Sequence, residues 1–202
     1  MRDAAAIRRL GIDVIERESA AVASVASQLD ASFEAIVQEL LDCDGKVLVS
    51  GSGTSHAVAL RFAHLLSCVG IPALFLHPGD SLHGASGAVA ASDVWVGLSR
   101  GGETAEMTFL AGFARKRGAT VLAITEEPES GLGRLADVVL RVVAPRDVDP
   151  FGFVATGSSL FYSAVCDAIC VVLLQLRGYG VEDFAESHPG GAVGRRIREG
   201  SA

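Results

Sequence analysis

The sequence predicts an α/β protein with a doubly wound, five-stranded parallel sheet of flavodoxin-like strand order, preceded by N-terminal helices. After residue 44, short apolar runs bounded by Gly, Pro and Asp alternate with segments of helix length. These runs are almost continuously apolar, which is typical of strands covered on both faces. Residues 1–202 contain no linker, low-complexity stretch or repeat, so we expect a single domain, with a helical segment at 1–42 and an α/β core at 43–202.

The N-terminal segment is expected to form one long or two consecutive amphipathic helices over residues 3–42. Proline is absent from it, and its apolar residues recur at helical spacing, as at Ile7, Leu10 and Val14. The apolar positions outnumber those that one face of a sheet can cover. This surplus favours a homo-oligomer.

The core elements follow in chain order. Strands are expected at 46–50, 73–77, 94–99, 120–125 and 138–143, and Arg141 interrupts the last run. Helices are expected at 54–69, 103–117, 129–136 and 156–177, with short ones at 181–186 and 190–198. In such a sheet the ligand lies at the carboxyl ends of the strands, so the side chains there are the first candidates for function.

The composition excludes several classes of protein. The chain has 202 residues, a net charge of −7 and only two lysines, Lys46 and Lys116, so no nucleic-acid partner is expected. No run of about 18 apolar residues occurs, and no apolar signal core follows Met1. We therefore expect a cytoplasmic protein without a membrane partner.

The cysteines and histidines do not indicate a metal site. Cysteines occur at positions 43, 68, 166 and 170 without CxxC spacing, and we interpret them as small buried hydrophobic residues in a reducing cytosol. No HxxxH or HExxH spacing supports zinc, and neither an ATPase loop nor a dinucleotide fingerprint is present. We therefore predict no metal site and neither of these nucleotide-binding loops.

Two predicted strands end in turns rich in glycine and hydroxyl groups, and each turn leads into a helix. The first reads Ser50-Gly-Ser-Gly53-Thr54-Ser55-His56, and the other reads Ser99-Arg100-Gly101-Gly-Glu103-Thr104. Small residues let backbone amides approach an anion, and a helix N-terminus adds a favourable dipole. We predict that a phosphate binds between the turns, with Ser55, Ser99 and Thr104 donating. Plain tight turns with helix caps are the alternative.

The histidines fall into two groups. Four of them, His56, His77, His83 and His188, lie in predicted loops or glycine-flanked turns, where catalytic groups concentrate. His64 lies in the middle of a predicted helix and is assigned no role.

Together these motifs resemble the SIS (sugar isomerase) domain, and within it the D-arabinose-5-phosphate isomerase group, from about residue 42 to residue 196. The likeness rests on both turns and on His77-Pro-Gly-Asp-Ser-Leu-His83-Gly, Asp149-Pro-Phe-Gly and, most specifically, Ser187-His188-Pro-Gly-Gly191. The resemblance implies a five-stranded α/β sandwich, usually a tetramer, that interconverts an aldose phosphate and a ketose phosphate without a cofactor. Longer members carry a pair of CBS domains, which we do not expect in a chain that ends at Ala202.

The resemblance also implies roles for single residues. Glu103 and His188 would be the acid-base pair, and His83 and Asp147 would be further catalytic candidates, since burial can tune carboxylate and imidazole groups towards neutrality. The alternatives are a charge at a helix start for Glu103 and a capping turn for His188. His188 lies far along the chain from both turns, so a neighbouring subunit could supply it. The implied substrate contacts are Gly53, Thr54, Ser55, Ser99, Arg100, Gly101 and Thr104.

Four positions depart from the family pattern. Thr54 stands where a lysine is usual, Gly101 where a second serine is usual, and Asp147 where a glutamate is usual. Ala85 replaces the aspartate that usually follows the histidine-glycine pair. We expect Arg100 to supply the missing positive charge. The alternatives to a pentose phosphate isomerase are an isomerase of another phosphosugar, such as a hexulose phosphate, and a phosphosugar-binding sensor without catalysis.

Overall fold

The centre of the protein is one parallel sheet with strand order β2-β1-β3-β4-β5. The computed structural model describes residues 3–190 and 192–198, so Gly191 of the last motif lies outside the described residues. The strands are β1 (Val47–Gly51), β2 (Ala73–Phe75), β3 (Val94–Leu98), β4 (Thr120–Thr125) and β5 (Val138–Arg141). This order is that of flavodoxin-like sheets, so the predicted fold class is confirmed.

Helices flank the sheet and precede it. In the part of the chain that the structure describes, they are α1 (Ala4–Ser24), α2 (Ala31–Leu41), α3 (Thr54–Cys68), α4 (Pro78–Ser81), α5 (Ala105–Arg117), α6 (Gly131–Leu135), α7 (Gly157–Arg177), α8 (Val181–Ser187) and α9 (Ala192–Arg198). The N-terminal segment is therefore two helices, divided by a 3-10 turn at Val25–Gln28. Asp3 and Asp30 cap them, each carboxylate accepting a backbone N–H at 2.9 Å.

The elements differ from the sequence prediction mainly at their ends. β2 stops at Phe75 because Pro78 starts α4 and His77 is the N-cap of that helix. α5 begins at Ala105 rather than at residue 103, because Thr104 has extended backbone as the N-cap. The prediction did not include α4 or the 3-10 turns at 85–88 and 150–152, since such short elements lack a hydrophobic period.

Alternate strand residues point into two apolar layers. On one side α1, α2, α3 and α7 cover the sheet, with Phe62 and Phe161 fully buried. On the other side α5 and α6 pack around Trp95 and Met107. α7 has the length and the mean hydropathy, 1.9, of a membrane-spanning helix, and its buried face belongs to the first layer.

A buried chain of hydrogen bonds joins three adjacent parts of the sheet. Trp95 Nε1 in β3 donates to Ser50 Oγ in β1 at 3.0 Å, and Ser50 Oγ donates to the carbonyl oxygen of Leu76 at 2.7 Å. Gly97 leaves room for the indole, because a Cβ at this position would lie 2.5 Å from the Trp95 ring. These hydrogen bonds hold the carboxyl edge of the sheet together at the point where β1 ends and His77 follows Leu76.

Candidate active site

The turn after β1 presents backbone donors to the surface. Gly53 is the N-cap of α3, with a φ of 59° that favours glycine and without a side chain to cap the helix. The first N–H groups of α3 therefore lack a side-chain partner. The hydroxyls of Thr54 and Ser55 have no hydrogen-bond partner among the described residues. Such a turn suits an anion with several oxygens.

The turn after β3 is tighter. Ser99 is buried, and its Oγ accepts the N–H of Gly102 at 3.2 Å, which leaves the hydroxyl proton free to donate elsewhere. Gly102 has a φ of 65°, and a Cβ there would collide with Ser130 Oγ. A Cβ at Gly101 would meet no atom within 4 Å. Thr104 makes no side-chain cap to α5, so its hydroxyl is available.

Arg100 bridges the carboxylates of Glu126 and Asp149, neither of which was predicted as a site residue. Its Nε lies 3.0 Å from Glu126 Oε1, and its Nη1 donates to Asp149 Oδ2 at 3.1 Å. Asp149 is 5% exposed and also accepts the N–H of Ser158 in the first turn of α7 at 2.9 Å. The positive charge that we expected Arg100 to bring to a phosphate is thus already shared with two negative charges.

A small pocket collects part of the predicted phosphate contacts. Its volume is about 50 Å³, and its polar lining combines Thr54, Ser55 and Arg100 with residues of α7 that the sequence did not predict, Ser158, Ser159 and Tyr162. The N-termini of α3 and α7 meet here. Burial, followed by the nearby Glu126 carboxylate, raises the pKa of Tyr162, which keeps its hydroxyl protonated. The pocket has room for one small group rather than a whole sugar.

A larger cavity of about 480 Å³ lies on the other side of Arg100. Its polar lining consists of Arg100, Glu126, Glu127, Arg141, Arg146 and Asp149, from the carboxyl ends of β3, β4 and β5 and the loop that follows. Glu126 directly follows β4, a position at the ligand edge of the sheet, and this is the signal by which the sequence could have revealed it. Asp149 belongs to the Asp149-Pro-Phe-Gly motif. Its burial and its hydrogen bond to α7 could not be predicted from the sequence, because they depend on tertiary packing.

Glu103 lies at the carboxyl edge of β3 and is exposed. Its Oε1 accepts the N–H of Gly131, the first residue of α6, at 2.8 Å. A carboxylate at a helix start is favoured by the helix dipole, but the helix is α6 and not α5, which Glu103 precedes in sequence. Glu103 lines neither of the two cavities described above.

His188 lies at the opposite edge of the sheet. Its Nε2 is 3.4 Å from Cys68 Sγ, at the last residue of α3, and its ring stacks on Phe184 with the centroids 3.8 Å apart. Its Nδ1 is 2.9 Å from Ser187 Oγ. Because α3 begins at the first glycine turn and has 15 residues, its length separates His188 from that turn by about 20 Å. Within one chain, Glu103 and His188 do not meet.

The two remaining catalytic candidates lie in exposed loops. His83 follows α4, and Asp147 follows β5, and both side chains face solvent. Neither lines the small pocket or the larger cavity. The roles of these residues, like those of Glu103 and His188, stay predictions.

Comparison with known proteins decides the family. The family model described as "SIS domain" matches residues 39–172. The chain belongs to the SIS domain family. This SIS protein superposes with a TM-score of 0.90 on a candidate sugar-phosphate isomerase from Listeria monocytogenes, at 31% identity over 94% of this chain and 100% of that one. It superposes with a TM-score of 0.88 on Escherichia coli CFT073 c3406 in complex with A5P, at 28% identity over 93% of this chain and 100% of that one.

Curated relatives of this SIS protein include the arabinose 5-phosphate isomerase KdsD of Escherichia coli K12 and that of Salmonella typhi. Each is 35% identical over 190 residues, which is 94% of this chain and 58% of the relative. The chain thus spans little more than half the length of the curated relatives that it matches. The family resemblance inferred from the motifs is confirmed.

Proposed function

We propose that this SIS protein is a phosphosugar aldose-ketose isomerase that acts on a pentose phosphate of the arabinose 5-phosphate and ribulose 5-phosphate type. The observation that carries the proposal is the small pocket, where the starts of α3 and α7 meet beside Arg100 and several hydroxyl groups. Helix N-termini and hydroxyl donors are groups that hold a phosphate. The names of the KdsD relatives and the A5P bound to c3406 support a pentose phosphate.

The chemistry requires a base, an acid and a phosphate clamp. A base removes the proton from carbon 2 of the aldose, an enediol forms, and the proton returns to carbon 1 while an acid moves a proton between the two oxygens. The carbon skeleton and its overall oxidation level do not change, so the reaction runs without a cofactor. Glu103 and His188 are the proposed proton-transfer groups. His83 and Asp147 are further candidates for this role.

Because His188 lies about one helix length from the phosphate turns, we propose that it serves the site of a neighbouring subunit. The assembly proposed is a homotetramer. Its support is α1, which exposes a row of large apolar side chains: Ile7 is 57% exposed, Leu10 66% and Ile15 65%. Apolar surface of this extent is typical of an interface between chains.

The second candidate is a phosphosugar-binding sensor without catalysis. It is favoured by one observation: Glu103 is bonded to α6 and His188 contacts Cys68, so a single chain has no assembled acid-base pair. The two candidates share the phosphate clamp and differ only in turnover.

A turnover assay separates them. The full chain is incubated in deuterated water with a panel of aldose phosphates that includes arabinose 5-phosphate, and NMR follows both ketose formation and deuterium exchange at carbon 2. An isomerase forms the ketose phosphate from at least one member. Binding of a panel member without exchange or ketose formation contradicts the isomerase and supports the sensor.

A further inference from the structure

A pair of histidines that the proposed mechanism does not use lies at the carboxyl end of β2. The ring of His56, the third residue of α3, lies 4.5 Å from the ring of Phe75, centroid to centroid. The ring of His77 meets it edge-on at 5.4 Å. His77 Nδ1 is 3.9 Å from Asp80 Oδ2. A carboxylate, an imidazole and a second imidazole thus follow one another towards the start of α3.

This histidine pair, His56 and His77, lies on the β2 side of the glycine turn, whereas Arg100 of the small pocket follows β3, on the other side of β1. His56 belongs to the same helical turn as Thr54 and Ser55. His77 follows Leu76, whose carbonyl oxygen accepts from Ser50 Oγ at 2.7 Å, so the turn and His77 are tied to the same strand end. A phosphate over the first turn of α3 would have α7 on one side and the imidazoles on the other.

The charges around the turn show what the pair could contribute. A phosphate monoester carries a charge of about −1.5 to −2 at pH 7. Thr54 brings no charge, and Arg100 already faces Glu126 and Asp149. α3 has no acidic residue in its first turn. Histidine is the side chain that gains a charge most readily near neutral pH, so the pair can supply positive charge when an anion arrives.

Packing accounts for the contacts that the faces of these rings make, but not for their ring nitrogens. His56 is half-buried against Phe75, a contact that an apolar side chain would also make. Among the described residues, no hydrogen-bond partner is found for the ring nitrogens of His56, and His77 is about half exposed. Polar groups at the ligand edge of a sheet that are free of partners in the protein remain available to a ligand.

We propose that His56 and His77 bind the phosphate group of the phosphosugar and take up protons as it binds, in place of the lysine that Thr54 replaces. The inference rests on the proposed function, since it concerns the same site. On α3 and α7, Arg61 and Asp167 pair with each other at 2.5 and 3.0 Å further along the helix.

Calorimetry on the full chain tests the proposal. Arabinose 5-phosphate and inorganic sulfate are titrated at pH 6 and pH 8, each in two buffers of different ionisation enthalpy; sulfate does not itself titrate in this range. The wild type is expected to take up protons on binding both anions and to bind them about tenfold more tightly at pH 6. The His56→Gln/His77→Gln variant should lose this uptake and most of the pH dependence.

Two controls keep the outcome clear. His64→Gln changes an exposed histidine at the far end of the same helix and should behave as the wild type. His77→Gln alone changes an exposed side chain, so it tests the proposal even if the double variant fails to fold.

The possible failures are distinguishable. Binding of arabinose 5-phosphate with the same proton uptake and pH dependence in the wild type and in the His77→Gln variant overturns the role of the pair and leaves the proposed function intact. Sulfate binding with proton uptake, but no binding of any aldose phosphate, overturns the proposed substrate and keeps the anion site. Failure of the wild type to bind either anion overturns both.

Discussion

At the scale of single residues, Gly101 and Gly102 are neighbours with opposite constraints. Gly101 faces open space and lacks a positive φ, whereas Gly102 has a φ of 65° and leaves no room beside Ser130. Gly101→Ser, which restores the hydroxyl usual in the family, is expected to change the free energy of unfolding by less than about 0.5 kcal/mol. Gly102→Ser should cost about 1–3 kcal/mol or more. Urea denaturation measures both, and equal losses would contradict the description of this turn.

The hydroxyls of Ser55 and Ser99 are predicted phosphate donors. Removing both in a Ser55→Ala/Ser99→Ala variant should weaken arabinose 5-phosphate binding at least tenfold, because a hydrogen bond to a charged group contributes about 1.5–3 kcal/mol. Isothermal calorimetry measures the affinity, and Ser27→Ala in the distant 3-10 turn is the control. Unchanged affinity in the double variant would show that neither hydroxyl donates to the phosphate.

The sequence predicted least well which residues contact each other across the fold. Thr54, Ser55 and Arg100 were singled out because glycine-rich strand ends are recognisable, and they line one pocket. The pairing of Arg100 with Glu126 and Asp149 joins residues up to 49 positions apart, so only the tertiary register of the strands and α7 brings them together. The contact of His188 with Cys68 likewise depends on where α8 packs against α3.

At the scale of elements, the strand positions were predictable to within one or two residues. Their apolar runs are continuous, and the runs end where Gly, Pro or Asp breaks the pattern. The alternation of strands and helices predicted a parallel sheet, and the flavodoxin-like strand order expected for it is confirmed. Short elements such as α4 were not predictable, because one helical turn has no period to detect.

Ser50 couples three elements, so its removal tests the buried hydrogen-bonded chain. Ser50→Ala leaves Trp95 Nε1 and the carbonyl oxygen of Leu76 without their partner in the protein interior. We expect a loss of about 1–3 kcal/mol in the free energy of unfolding, measured by urea denaturation. Ser52→Ala, two residues further along the chain, should change it by less than about 0.5 kcal/mol. Similar losses in the two variants would show that the buried hydrogen bonds of Ser50 contribute little to stability.

Asp93 joins the starts of β1 and β3 at the other edge of the sheet. Burial alone would raise the pKa of its carboxyl, but the Lys46 ammonium at 2.7 Å and the N–H groups of Ala90 and Lys46 lower it overall. A carboxylate with a lowered folded-state pKa stabilises the fold above its unfolded pKa of about 3.9, and this stabilisation is lost as pH falls through the folded value.

Asp93→Asn is therefore expected to cost about 1–3 kcal/mol at pH 7 and less at pH 3. Urea denaturation at both pH values measures the difference. Asp42→Asn, an exposed carboxylate on the adjacent helix end, is the matched control. A cost for Asp93→Asn that does not depend on pH would contradict the electrostatic explanation.

At the scale of the whole molecule, the proposed acid-base pair, Glu103 and His188, would have to meet between chains. Glu103→Gln and His188→Ala should each reduce isomerisation by about 10²–10⁴-fold, the typical contribution of a positioned proton-transfer group. Gln keeps an oxygen that can accept the N–H of Gly131, so the fold should be retained. Mixing the two inactive variants should restore part of the turnover, because some sites then receive both native groups. Near wild-type turnover in either single variant would contradict the catalytic role proposed for the residue changed.

The separation of His188, beside the last residue of α3, from the glycine turn at the start of that helix has a consequence for how the proposed enzyme would respond to dilution. An isolated chain would keep its phosphate turn and its fold, yet it would lack a partner for half of the proton transfer. Turnover per chain would then fall as subunits separate, while ligand affinity would fall less. The rate would report how many chains are assembled, because the length of α3, about 20 Å, keeps His188 away from the glycine turn of its own chain.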